Sequence, residues 1–98
     1  MKLTQKSIIK ELEAHKEDIC KYDVKKIALF GSYLKGKQHQ KSDIDFLVSF
    51  SKPSFDNYME LKFLLEKIFK KKIDLVTEKS LKPALKYVKE EAIYAKVS

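Results

Sequence analysis

Apolar residues recur at helical spacing in the first twenty positions, and the spacing then changes to that of a strand. Between Thr4 and about Cys20 the apolar positions lie three, four or seven residues apart, at Ile8, Ile9, Leu12 and Ile19. This spacing predicts an amphipathic helix with Thr4 or Ser7 as its N-cap. The next apolar run, KKIALF at residues 25–30, is short and ends at Gly31. A run of this kind predicts a buried strand.

Two later segments show the period-2 alternation of strands. The segment DIDFLVSF, residues 43–50, places Asp43, Asp45 and Leu47 on one face and Ile44, Phe46 and Val48 on the other. Successive side chains of a strand point to opposite faces, so the two aspartates share the outward face. In KIDLVT, residues 72–77, Asp74 likewise shares a face with Val76. The sequence therefore predicts two strands that carry carboxylates.

Two helices are predicted in the second half of the chain. The chain breaks at Pro53, and a broad apolar stripe follows over residues 55–69. We expect nearly all apolar side chains of this stripe to lie in the core, whereas marked exposure of its aromatic residues would indicate a protein partner. Ser80 can cap a last helix with Pro83 in its first turn. Its predicted inward positions are Ala84, Leu85, Val88, Ala92 and Ile93.

The order of these elements predicts the fold class. Helix, strand, short loop, strand, helix, strand and helix imply an α+β domain in which helices cover one face of a small sheet. The other face is expected to stay open. The 98 residues suit a single domain spanning 1–98 with one core.

Composition narrows the class of protein. The N-terminus has no continuous apolar stretch of a signal peptide, and no apolar run approaches the roughly 20 residues of a membrane span. We therefore expect a soluble, cytoplasmic protein that does not act in a membrane. The one cysteine, Cys20, has no partner for an intramolecular disulfide and no Cys/His neighbourhood typical of zinc.

The net charge is +7, and all 21 basic residues are lysine. Arginine supplies the planar fork that contacts guanine edges in pairs, so its absence disfavours sequence-specific DNA recognition. A diffuse field of lysines suits the attraction of a nucleoside triphosphate or of an acidic protein face. Nonspecific RNA binding would rest on charge alone and is the weakest alternative.

The chemistry of the chain centres on the pattern G-S-x10-D-x-D, formed by Gly31, Ser32, Asp43 and Asp45. Glycine lets the backbone turn sharply and approach a phosphate, and Ser32 can offer its hydroxyl and the N–H groups of a following helical turn to anionic oxygens. Lys35, in the intervening loop, can neutralise a phosphate. This half of the pattern predicts a triphosphate-binding turn.

The acidic half of the pattern predicts a metal site. Residues two apart on a strand lie about 6.6 Å apart, which lets Asp43 and Asp45 share or divide Mg²⁺ or Mn²⁺ ions about 3.5–4 Å apart. Asp74 on the next strand can ligate the second ion or take the proton of an acceptor hydroxyl. Hard oxygen ligands favour these metals over zinc. Three carboxylates on otherwise apolar strands would repel one another unless a cation bridges them.

The run GSYLKGKQHQKSDIDFLVSF, followed by KIDLVT, resembles the polymerase-beta-type nucleotidyltransferase superfamily, in particular its minimal MntA-like antitoxin branch. The resemblance extends to EEAIYA near the end of the chain. It implies a mixed sheet flanked by helices and ATP as the substrate, with Mg²⁺ or Mn²⁺ bound by Asp43, Asp45 and Asp74. One difference is Lys35, because many members of the family carry arginine at this position. A lysine contacts a phosphate through one ammonium group and lacks the paired hydrogen bonds of an arginine.

The resemblance also implies a partner. Such proteins are paired with a HEPN-domain RNase toxin, which they neutralise by transferring AMP to a tyrosine, by direct binding, or by both. Two alternatives stay open from the sequence: a nucleotidyltransferase for small molecules, and a non-catalytic antitoxin that acts by binding alone. A homo-oligomer is also compatible with the sequence.

Overall fold

The computed structural model describes residues 3–37, 42–81 and 87–97. Its helices are α1 (Gln5–Ala14), α2 (Lys16–Cys20), α3 (Ser32–Lys35), α4 (Phe55–Phe69) and α5 (Tyr87–Glu91), with a 3₁₀ turn at Glu78–Ser80. The strands are β1 (Val24–Phe30), β2 (Ile44–Phe50), β3 (Ile73–Thr77) and β4 (Ile93–Tyr94). The fold class is α+β, as predicted. No helix within the described ranges has both the length and the apolar character needed to cross a membrane.

The four strands form one mixed sheet in the order β3-β2-β1-β4. β1 pairs antiparallel with both β2 and β4, whereas β2 and β3 are parallel. A parallel pair needs a long crossover connection, and α4 provides it. The implied mixed sheet is thereby confirmed.

The predicted first helix is divided into two. Thr4 caps α1, because its hydroxyl accepts a hydrogen bond from the Ser7 backbone N–H at 3.1 Å. The helix ends at His15, whose Nδ1 lies 3.0 Å from the Glu11 carbonyl oxygen. The His15 backbone, at φ −107° and ψ 21°, leaves the helical region at this residue. The chain resumes as α2, so the prediction of one helix continuous to Cys20 was wrong.

The core lies between the helices and one face of the sheet. Ile44, Phe46 and Val48, the apolar face predicted for β2, are fully buried. From α4, Leu61 and Leu65 pack against them in the same cluster. The expectation that the α4 stripe lies in the core was wrong at Phe55, which is 76% exposed, and Phe63, which is not part of the stripe, is 56% exposed.

The C-terminal segment also differs from its prediction. Helix α5 ends at Glu91, and Ile93 pairs with Leu29 of β1 instead of continuing the helix. Ile93 is exposed and Ala92 is only partly buried. The open edge of β1 has unpaired backbone groups, and pairing with β4 satisfies them. The predicted positions Pro83, Ala84 and Leu85 lie outside the described residues.

The outward face of the sheet is partly covered, which corrects the expectation of an open face. Tyr94, Ala28, Leu47 and Val76 lie side by side across the four strands. The Tyr94 hydroxyl donates a 2.7 Å hydrogen bond to the side chain of Glu78, which follows the end of β3. Ala28 and Leu47 are fully buried, although they lie on the face opposite the main core. The tyrosine ring therefore closes the middle of the outward face.

Candidate active site

The predicted phosphate-binding turn lies between β1 and α3. Gly31 has φ of +79° and directly precedes α3. This conformation suits glycine, which has no Cβ. A side chain at position 31 would also collide with the carboxylate of Asp45. The turn and the acidic strand are therefore packed against each other at this point.

Asp45 and Asp74 are brought together by the register of the sheet. The two residues are direct partners in the parallel β2–β3 pair, and Phe30 of β1 completes the row. Neighbouring strands lie about 4.8 Å apart, so carboxylates in one row can touch. A side-chain hydrogen bond joins Asp45 and Asp74. The register of the sheet thus places the Asp74 carboxylate of β3 beside the Asp45 carboxylate of β2.

The close approach of Asp45 and Asp74 makes ionisation of Asp45 unfavourable. Burial, followed by the charge of Asp74, the hydrogen bond to it and the charge of Asp43, raises the pKa of Asp45 from 3.8 to about 6. The Ser32 backbone N–H opposes the rise by bonding the carboxylate. Asp43 and Asp74 are exposed, and Asp45 is half-buried. Asp45 is therefore the centre of the acidic cluster.

The donor set fits a hard divalent cation. Like charges close enough to share a proton are relieved by a cation, and carboxylate oxygens are the ligands that Mg²⁺ and Mn²⁺ prefer. Within residues 3–37, 42–81 and 87–97, no three acidic, histidine or cysteine side chains converge as in a preformed metal centre. Metal binding by Asp43, Asp45 and Asp74 therefore stays a prediction.

The comparison with known proteins identifies the family. A model of the nucleotidyltransferase domain matches residues 12–97. The chain belongs to this nucleotidyltransferase family. A candidate protein adenylyltransferase of Methanocaldococcus jannaschii, MJ1379, is 50% identical over 95 residues, covering 90% of this chain and 95% of the relative. Protein adenylyltransferase MntA of Thermococcus cleftensis is 38% identical over 95 residues, covering 94% of this chain and 96% of the relative.

Solved structures agree with this family. A candidate minimal nucleotidyltransferase superposes with a TM-score of 0.71 at 31% identity, over 87% of this chain and 93% of that chain. A toxin–antitoxin crystal structure with AMP-PNP gives a TM-score of 0.68 at 31% identity, over 94% of this chain and 72% of that chain. The nucleotidyltransferase fold and the enzyme class predicted from the motif are confirmed.

Lys35 lies in the last turn of α3 and has a neighbour that the sequence did not predict. Its Nζ is 3.7 Å from Oε2 of Glu91 in α5, and both side chains are about half exposed. An ion pair this exposed contributes about 0–1 kcal/mol, so a phosphate can displace Glu91 at little cost. Phosphate binding by Lys35 thus stays a prediction.

Sequence reasoning missed Glu91, Tyr94 and Glu78 as neighbours of the site. Glu78 also pairs with Lys89 of α5 at 3.6 Å, so one carboxylate contacts both α5 and Tyr94 of β4. Burial, followed by the hydrogen bond and charge of Glu78, raises the pKa of Tyr94 to about 12. The sequence signal for this region is the short apolar pair within EEAIYA, and two residues are too few to show the period of a strand or a helix.

Asp45→Asn should stabilise the metal-free nucleotidyltransferase near neutral pH. The folded state holds the Asp45 proton more tightly than the unfolded state, so stability falls as pH rises from about 4 to 6. Asparagine does not ionise, so the substitution removes this loss of stability. After allowance for the partial exposure of Asp45, we expect a gain of roughly 1 kcal/mol, or about 4–8 °C in Tm.

Thermal unfolding in EDTA at pH 7.5 and pH 4 tests this prediction. The gain should be present at pH 7.5 and absent at pH 4, where the aspartate is protonated in the folded state. Asp56→Asn, at an exposed position in the first turn of α4, is the control and should show no gain. A lower Tm for Asp45→Asn at pH 7.5 would mean that the carboxylate supports the fold.

Proposed function

We propose that this chain transfers AMP from Mg·ATP to a tyrosine of a HEPN-domain RNase toxin and thereby acts as its antitoxin. The observation that carries the proposal is the Asp45–Asp74 carboxylate pair packed beside the Gly31–Ser32 turn. The names of similar proteins support the acceptor class, because relatives are called protein adenylyltransferases and a structural neighbour is a toxin–antitoxin complex with AMP-PNP.

Nucleotide binding is assigned to the β1–β2 side of the site. The Gly31–Ser32 turn receives the triphosphate, with Lys35 as an added positive charge. Asp43 and Asp45 would hold Mg²⁺, which neutralises the triphosphate and favours departure of pyrophosphate. Because the clustered carboxylates repel one another when no cation is bound, metal and nucleotide should bind together.

The transfer step is assigned to Asp74. The tyrosine hydroxyl oxygen attacks the α-phosphorus and forms a new P–O bond, while the bond between that phosphorus and the bridging oxygen to the β-phosphate breaks. Pyrophosphate leaves with the electron pair of the broken bond. The hydroxyl proton passes to the Asp74 carboxylate, which is exposed on the outward face and can approach a protein side chain.

Intact-protein mass spectrometry tests the proposed function. The purified chain is incubated with a HEPN-domain protein from the same organism, ATP and MgCl₂. Each transfer should add about 329 Da to the HEPN-domain protein, as expected for covalent attachment of AMP to a hydroxyl. EDTA should prevent the addition, and fragmentation should place it on tyrosine.

Two outcomes would contradict the enzymatic proposal. Stoichiometric silencing of the RNase with no mass change would make the chain an antitoxin that acts by binding alone. Transfer of AMP to a small hydroxyl compound, with none to the protein, would make it a small-molecule nucleotidyltransferase.

A further inference from the structure

The strand that carries Asp74 has one side without a strand neighbour. Within residues 3–37, 42–81 and 87–97, β3 lies at the end of the sheet and pairs with β2 alone. The free side of such a strand presents backbone N–H and C=O groups that no ladder satisfies. Contacts made to this side of β3 therefore help to fix the position of Asp74.

The carbonyl of Leu75 faces the free side of β3. The Lys72 carbonyl accepts a 3.2 Å hydrogen bond from the Ile44 backbone N–H, so it points toward β2. Successive carbonyls of a strand point to alternate sides, and Leu75 lies three residues after Lys72. Its carbonyl therefore points away from β2. Because Leu75 is only 3% exposed, water has little access to this group.

Tyr58 supplies the hydrogen-bond donor for this carbonyl. Its hydroxyl donates a 2.5 Å hydrogen bond to the Leu75 carbonyl oxygen. Tyr58 lies in the first turn of α4, where Ser54 caps the helix by accepting a hydrogen bond from the Asn57 backbone N–H. The Asn57 side chain donates a 3.1 Å hydrogen bond to the Asp23 carboxylate, directly before β1. The tyrosine therefore links β3 to a helix end that is itself held in place.

The Tyr58 hydroxyl also lies close to Asp74. Burial, followed by the charge of Asp74, raises the pKa of Tyr58. Asp74 directly precedes Leu75 in the chain, so a shift of the Leu75 carbonyl also moves the backbone that carries the Asp74 carboxylate. The hydrogen bond from α4 is thus made one residue away from the proposed proton acceptor.

We propose that Tyr58 is a positioning residue that holds Asp74 in place for proton transfer. This inference rests on the proposed function, which assigns the proton of the acceptor hydroxyl to Asp74. The tyrosine acts through the backbone of β3, by binding the Leu75 carbonyl, and takes no part in the proton transfer itself.

Tyr58→Phe tests this role, because it removes the hydroxyl and keeps the ring. With a HEPN-domain protein as the acceptor, we expect kcat for AMP addition to fall roughly threefold to tenfold, as for the loss of one hydrogen bond. The KM for ATP and the KM for the acceptor should not change. A buried carbonyl without its donor should also lower the Tm by about 4–8 °C.

Thr4→Ala is the control for this loss of stability. It removes the capping hydrogen bond of α1 and should lower the Tm by a similar amount. Helix α1 packs chiefly against α2 and β1, so kcat should stay at the parental value. An equal fall of kcat in Thr4→Ala would make the rate loss a general effect of lower stability, and the positioning role would be wrong.

The same substitution in an Asp74→Asn background shows whether the tyrosine acts through Asp74. A residue that only positions a carboxylate has no further effect on kcat once that carboxylate is absent. We therefore expect the double variant to transfer AMP at the rate of Asp74→Asn alone. An additional loss equal to that of Tyr58→Phe would overturn the proposal, as would a parental kcat in Tyr58→Phe itself.

Hydrogen exchange of the backbone amides separates this inference from the proposed function, because it needs no acceptor. Tyr58→Phe should speed exchange of the β3 amides, Ile73–Thr77, roughly threefold to tenfold relative to those of β1. Parental exchange rates in the variant would refute the positioning role even if the parent protein labels its acceptor. If the parent protein adds no AMP while the variant exchanges faster, the proposed function fails and the link from Tyr58 to β3 stands.

Discussion

Replacing Asp43 and Asp45 together with asparagine should weaken metal-dependent ATP binding by roughly 100-fold or more, because the cation then loses its two predicted charged ligands at the start of β2. Asparagine keeps the shape of both side chains, so the packing of position 45 against Gly31 is retained. Removal of the repulsion around Asp45 should leave the metal-free variant at least as stable as the parent. Calorimetric titration of ATP with and without MgCl₂ measures the loss.

The control for this experiment is Asp18→Asn. Asp18 lies in α2 and forms a surface pair with Lys21 at 3.3 Å, away from the acidic cluster. The Asp18→Asn variant should bind Mg·ATP with the affinity of the parent protein. If the double variant binds ATP with unchanged, metal-dependent affinity, the motif has no role in holding the nucleotide.

Asp74→Asn should separate binding from chemistry. The turn at Gly31 and the two aspartates at the start of β2 remain, so Mg·ATP should bind within a fewfold of the parental affinity. The acceptor hydroxyl loses the carboxylate that takes its proton, and general bases typically contribute about 10²–10⁴-fold in rate. We therefore expect transfer to the HEPN-domain protein to fall at least about 100-fold.

Two measurements on the same sample decide this prediction: nucleotide affinity by calorimetry and the rate of AMP addition by mass spectrometry. Transfer at the parental rate would eliminate Asp74 as the proton acceptor. Loss of ATP binding together with transfer would instead make Asp74 part of the nucleotide site, with no separate step assigned to it.

The acidic cluster was predictable because local rules define its parts. Period-2 alternation puts Asp45 on the outward face of β2, and Asp74 follows the same rule on β3. A glycine at the end of a buried strand signals a sharp turn. The pairing of Asp45 with Asp74 depends on strand register, which a motif can suggest but only the folded sheet defines.

The features that escaped prediction depend on contacts distant in sequence. β4 is two residues long, too short for any period, and exists because β1 has an open edge. The helix breaks at His15, where the backbone leaves the helical dihedrals, and the spacing of apolar residues does not reveal such a break. Phe55 fits the apolar pattern of α4, yet spacing alone does not show how far the sheet extends beneath a helix.

Because β3 is an edge strand, Asp74 can move away while the rest of the site stays in place. Asp45 lies on β2 and Gly31 directly follows β1, and these two strands form the centre of the sheet. Asp74 lies on β3, which is an edge strand within the part of the chain that the structure describes. Edge strands open locally at lower free energy than central ones. Fraying of β3 would withdraw Asp74 while ATP stays bound.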